Sequence, residues 1–287
     1  MPEPCGVDTR LPGVVDHHVH LGLVQRDLLA DGPVVEVHDL GWDPSEGLAF
    51  RLRPPAGVTV RVAGPFHTAP GGYPCGRPWA PAGAVREVVD PDDARAAVAV
   101  AAHRGYDVVK IVLHDGLPLL ADEPLRALVS AAHQAGLAAA VHVEGRGQTA
   151  RAVEAGADIL AHTPWSERVD DGVLHRGRHM TWISTLAIHD GTDRQVALDN
   201  LRRFRAIGGR VVYGTDLGNP PAPVGVNPAE IRALEEAGVS GEDLLTAVLG
   251  GSGRPAALVA PLPRPRTADE LVAWLAAARR LPRKDPA

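Results

Sequence analysis

Short apolar runs alternate with Ala-rich amphipathic segments along most of the chain. The pattern predicts strands at 14–20, 34–39, 58–63, 108–112, 138–142, 158–161, 181–186 and 211–215. Helical periodicity falls between several of them, at 91–104, 123–135, 147–155 and 194–207. Gly105, Gly136, Gly156 and Gly208 close these helices, as expected where a chain turns back into a sheet. Repeated strand–helix units with short connections predict a parallel sheet with right-handed crossovers, and eight strands predict closure into a (β/α)8 TIM barrel. Helix signals are poor over 41–53. Beyond Asp216 come a Pro/Gly-rich loop at 218–228 and helices at 229–237 and 241–249. A Pro-rich linker at 261–265 then feeds a final helix at 267–281. The expected organisation is one barrel domain over 1–260, with the linker and helix of 261–287 packed on or near it.

Composition narrows the function classes. The 287 residues are 45% hydrophobic and 22% charged, which is ordinary for a soluble globular chain. A net charge of −6 argues against nucleic-acid partners. No apolar run approaches membrane-spanning length and no signal peptide opens the sequence, so no membrane partner is expected. Cys5 and Cys75 are too few for a disulfide framework, which makes a reducing cytoplasm the expected location. Of 29 basic residues only Lys110 and Lys284 are lysines, leaving 27 arginines. Lys284 lies in a polar tail, but Lys110 interrupts an apolar run, Val108-Val109-Lys110-Ile111-Val112. Arginine cannot serve where a deprotonated amine is needed, so this position is a candidate for chemistry.

The remaining candidates fall at strand ends. In Asp16-His17-His18-Val19-His20, side-chain alternation sends His18 and His20 to one face. Lys110 ends the fourth predicted strand, His142 the fifth and His162 the sixth, while Asp216 follows the eighth. Active sites of such barrels assemble at the C-terminal strand ends. Neutral imidazoles and a carboxylate suit zinc or a similar divalent ion. An ammonium would repel metal, but a lysine amine carrying carbon dioxide as a carbamate would bridge two ions. Such a pair, ~3.5–4 Å apart, can share a hydroxide and polarise a carbonyl, with Asp216 as ligand and proton carrier.

The segments Leu11-Pro12-Gly13-Val14-Val15-Asp16-His17-His18-Val19-His20, VVKIVL, AVHVEG, ILAHTPW, WISTLA and VVYGTDLGNP resemble, in order, barrel motifs of the amidohydrolase superfamily. AGPFHTAPGGYP is similar to its imidazolonepropionase-like and prolidase-like branch. The resemblance spans roughly 11–257. It implies His18, His20 and Asp216 on the more buried ion, His142 and His162 on the other, and carboxylated Lys110 between them. Relatives carry a β-sandwich; here a linker and one helix stand in place of its C-terminal strands, so a barrel lacking that domain is expected. Tyr73 also stands where the branch often has His.

Loop positions expected to touch a small-molecule substrate are His67, Tyr73, Trp165, His189 and Asn219, with Trp42 beside them. His38, His103, His114, His133, His175 and His179 read as structural or exposed. Glu144 follows His142 at a spacing unlike that of mononuclear deaminases. The function expected is hydrolysis of an amide or other C–N bond, cyclic or peptide-like, by a metal-bridging hydroxide. Alternatives are a lactone or ester hydrolase with the same centre, a mononuclear deaminase, and a non-catalytic ligand-binding barrel.

Overall fold

The computed structural model describes residues 8–219, 222–251 and 253–282; Cys5 and Lys284 lie outside them. The described chain enters on β1 (Thr9–Leu11) and passes to β2 (Val14–Val19), β3 (Val34–Asp39) and β4 (Thr59–Val62). The last three form a parallel sheet in the order β2-β3-β4. Next come β5 (Phe66–Thr68), β6 (Val85–Glu87), β7 (Val108–His114), β8 (Ala138–Glu144), β9 (Ile159–Leu160), β10 (Thr181–Ile183) and β11 (Arg210–Val212). These seven make a second parallel sheet, ordered β11-β10-β9-β8-β7-β5-β6. The two sheets meet at both sides. Backbone N–H groups of His17 and His20 donate to the Tyr213 and Leu217 carbonyls at 3.0 and 2.7 Å, and that of Asp107 donates to Val62 at 2.9 Å.

Helices fill the crossovers: α1 (Pro44–Leu52), α2 (Pro91–His103), α3 (Asp122–Gln134), α4 (Gln148–Ala155), α5 (Asp171–Arg176), α6 (Gly191–Ala206), α7 (Pro228–Glu236) and α8 (Gly241–Val248). Helix α1 forms where the apolar pattern was poor. Its start is set by capping instead: the Asp43 side chain accepts from the Ser45 N–H at 2.9 Å and Pro44 takes the first turn. Leu40, Ala63, Val108, Ala140, Ala161, Ile183 and Val212, each on or just after a different strand, form a small-residue cluster separate from the main core. Strands of both sheets feed this cluster.

The C-terminal part departs from the expected linker and helix. Strand β12 (Leu258–Ala260) pairs antiparallel with β1, Thr9 opposite Ala260, and β13 (Arg279–Arg280) pairs with β12. The two ends of the described chain thus share a three-stranded sheet. Strands of two or three residues, distant in sequence from their partners, leave no periodic signal. Helix α9 (Ala268–Ala277) packs on α7 and buries Trp274 completely. Trp274→Ala is expected to destabilise the protein by ~3–5 kcal/mol, readable as a fall in the denaturant midpoint. No helix among the described residues is long and apolar enough to cross a membrane.

Candidate metal centre

Alternation along β2 carries His18 to one face, and His20, just past the strand, joins it; both are buried. The Nδ1 of His18 donates to the Ala161 carbonyl at 2.8 Å and that of His20 to the Gly41 carbonyl at 3.0 Å. A carbonyl only accepts, so each ring carries a proton on Nδ1, and in the neutral ring Nε2 is left with a lone pair that can bind a metal. The two Nε2 atoms lie 3.3 Å apart, and each is 3.2 Å from Asp216 Oδ1. That oxygen is buried and has no hydrogen-bond partner. Three lone pairs facing one another repel unless a cation stands between them, so the donor set fits a divalent ion.

The surroundings hold this geometry. Asp16 accepts from the His18 N–H at 3.1 Å, the Thr215 N–H at 3.0 Å and the Thr215 hydroxyl at 2.6 Å, tying β2 to the residue before Asp216. Asp216 itself sits in the left-handed region at φ 53°, and Asn219 Nδ2 donates to its Oδ2 at 2.5 Å. Asp39 accepts from Leu21 and Gly41 N–H groups at 2.8 and 3.3 Å. Gly41 has φ 143°, and a Cβ there would stand 2.4 Å from the Phe66 ring. The carbonyl that orients His20 therefore requires glycine.

Lys110 is buried on β7, beyond whose predicted end the strand runs to His114. Burial pushes its amine down to about 7, against the pull of Asp216 and Asp39. A large share of the amine is then neutral near pH 7. Burial also takes His18 and His162 well below the usual imidazole range, so both are neutral. His162 bonds the Thr185 hydroxyl through Nδ1 at 3.0 Å, and its ring lies 4.6 Å from that of His18 and 5.0 Å from that of His142. His142 is turned differently: its Nε2 donates to Glu144 Oε2 at 3.3 Å, and His114 Nδ1 stands 2.9 Å from the same oxygen.

All six expected ligands line one cavity of about 400 Å³. The ligand atoms of His18, His20 and Asp216 converge within 4.8 Å, and His114, His142 and Glu144 form a second such group. Of the expected substrate residues, Tyr73, Trp165 and Asn219 line the cavity. His189 stacks on Trp165 at 4.6 Å without lining it. His67 and Trp42 stand apart. Alternation on β5 gives the cavity to Phe66 and sends His67 away, where its Nδ1 donates to the Lys110 carbonyl at 2.9 Å. Trp42 Nε1 donates to Glu46 at 2.7 Å. Phe66, Trp79 and Ile188 line the cavity without having been expected there; Glu144, set aside on its spacing from His142, lines it too, and His114, read as structural or exposed, stands beside it. Glu144 lies two residues after His142, the spacing that joined His18 to His20, and could have been found by that signal.

A buried carboxylate supports the opposite wall. Glu230 on α7 accepts from the Ala187 N–H at 2.6 Å, just past Thr185, whose backbone is left-handed at φ 41°. Burial pushes Glu230 up to about 7. A raised carboxyl value means stability that is full below the ordinary Glu range and is lost as pH rises through about 7. Glu230→Gln keeps an acceptor without the charge. Thermal melts from pH 5 to 9 should show the wild type losing up to about 3 kcal/mol relative to this variant. Parallel curves would place the titration elsewhere.

No protein-family model and no curated protein matches the chain. Solved structures do. A Xaa-Pro dipeptidase with bound methionine superposes with a TM-score of 0.69 at 20% identity, over 84% of this chain and 74% of that one. A prolidase candidate from Bifidobacterium longum gives 0.71 at 22%, over 92% and 77%. The ochratoxinase of A. niger gives 0.66 at 17%, over 83% and 70%. At these identities the likeness establishes a shared fold. Another solved structure that shares the fold, at 18% identity and a TM-score of 0.62, is an amidohydrolase.

Proposed function

We propose that this protein is a metal-dependent hydrolase of the amidohydrolase type, cleaving an amide or related C–N bond in a small molecule. The observation that carries the reading is the meeting of the His18, His20 and Asp216 lone pairs on one buried point. In this reading the two parallel sheets close as an eight-stranded barrel over 1–260, with the ligands at one end. His18, His20 and Asp216 would hold one divalent ion and His142 and His162 a second, with Lys110, as a carbamate, the remaining ligand. Zinc is the first candidate. Carbamate formation needs a neutral amine, which the burial of Lys110 supplies near neutral pH.

Bound ions of this kind would lower the pKa of a water toward neutrality and polarise the scissile carbonyl. The chain's own residues do the rest. Asp216 takes the proton released on attack and returns it to the leaving nitrogen, while Asn219 fixes its outer oxygen. The Ala161 and Gly41 carbonyls keep His18 and His20 in the ligand tautomer. The likeness to a Xaa-Pro dipeptidase supports the bond class. Assay of zinc-loaded protein against acyl amides and dipeptides tests the reading: turnover should vanish on chelation and return on reloading. Turnover that survives complete metal removal would contradict it.

A single-ion centre on His18, His20 and Asp216 is the second reading. It is favoured by the present orientation of His142, which gives its Nε2 to Glu144.

A further inference from the structure

The cavity over the centre has an uneven chemistry. Its walls are aromatic and aliphatic: Phe66, Tyr73 and Trp79 on one side, Trp165 and Ile188 on the other. Tyr73 stacks over His142 with ring centroids 5.7 Å apart and planes 19° from parallel, and Trp165 meets the same imidazole edge-on at 5.7 Å. The two walls thus meet at His142. Glu144 adds a carboxylate to the lining. Among the described lining residues no arginine occurs, and the one lysine is Lys110, buried in the centre itself. Arg77 rests on the Tyr73 ring at 5.5 Å but is exposed and does not line the cavity.

A carboxylate on the substrate would enter this space with no guanidinium to receive it and with Glu144 facing it. Among these apolar walls, and beside the Glu144 carboxylate, such a charge is disfavoured. A flat uncharged ring instead finds stacking surfaces on both sides, in a volume suited to a small ligand. We propose that the substrate is an uncharged amide bearing an aromatic ring, such as an N-aryl amide, and not a dipeptide or other acid with a free carboxylate. The inference rests on the hydrolase reading above and names the substrate class of that site. Glu144 is then a specificity-determining residue, acting by repulsion.

The test compares acetanilide with its carboxylated analogue, 4-acetamidobenzoate, on metal-loaded protein. Binding is followed by tryptophan fluorescence, since Trp79 and Trp165 line the cavity, and turnover by release of the aniline. The neutral compound should bind, and react, roughly tenfold or more better than the acid. Trp165→Ala should weaken the neutral compound about tenfold, and Glu144→Gln should narrow the preference to within about threefold. Preferential binding of acetanilide with no turnover of either compound would uphold the pocket's preference for an uncharged aryl amide while counting against hydrolysis of that class. Equal or tighter binding of the acid, or no binding of either, would overturn the inference; turnover of the acid would leave the hydrolase reading standing.

Discussion

Asp216→Asn lowers turnover by ~10²–10⁴-fold, the range for losing a positioned proton carrier, and leaves the fold intact. Both halves of this expectation come from the same position. Asp216 sits at φ 53°, a left-handed conformation that asparagine adopts as readily as aspartate, so the backbone is not strained by the change. The amide keeps the shape of the carboxylate and one acceptor oxygen, and the Asp16–Thr215 bonds that set the segment are untouched. What disappears is the negative charge facing two lone pairs at 3.2 Å and the capacity to take up a proton. An unchanged thermal midpoint with lost turnover is the expected result. Wild-type turnover in the variant would remove Asp216 as proton carrier.

Lys110→Ala is expected to weaken ion binding by at least ~10–100-fold, the range seen for loss of an outer-shell partner alone, and turnover with it. The shortened side chain leaves a gap, at the centre of the ligand set, that a short carboxylic acid can occupy. Acetate or propionate should therefore restore part of both ion binding and turnover, because it would supply the two oxygens of the proposed carbamate. Lys110→Arg should not be rescued, since the guanidinium fills the gap and keeps its charge. Undiminished activity in Lys110→Ala, or loss with no response to added acid, would sink the bridging role.

Much of the centre was legible from the sequence because strand geometry is local. The HxH alternation, the lone internal lysine and the strand-end histidines needed only a period of two and the usual placement of sites in parallel α/β proteins. The same period was applied incompletely at Glu144 and His114, which are paired in register across β7 and β8. His67, expected in a loop, lies on β5, one residue from the Phe66 that faces the cavity. Helix α1 was missed because its start is written in a cap, Asp43-Pro44, and not in an apolar stripe. The three-stranded sheet of β1, β12 and β13 was illegible for a different reason: its pairing joins residues far apart in sequence, through strands too short to carry a pattern. The orientation of His142 depends on a side-chain contact, which no spacing encodes.

The most direct test of the account is the metal content of protein purified without chelator in bicarbonate-supplemented buffer, measured by elemental mass spectrometry. The bridged centre predicts close to two divalent ions per chain, falling in Lys110→Ala and recovering with added acetate. One ion per chain would support the single-ion reading on His18, His20 and Asp216. No bound ion after attempted reloading would contradict the account.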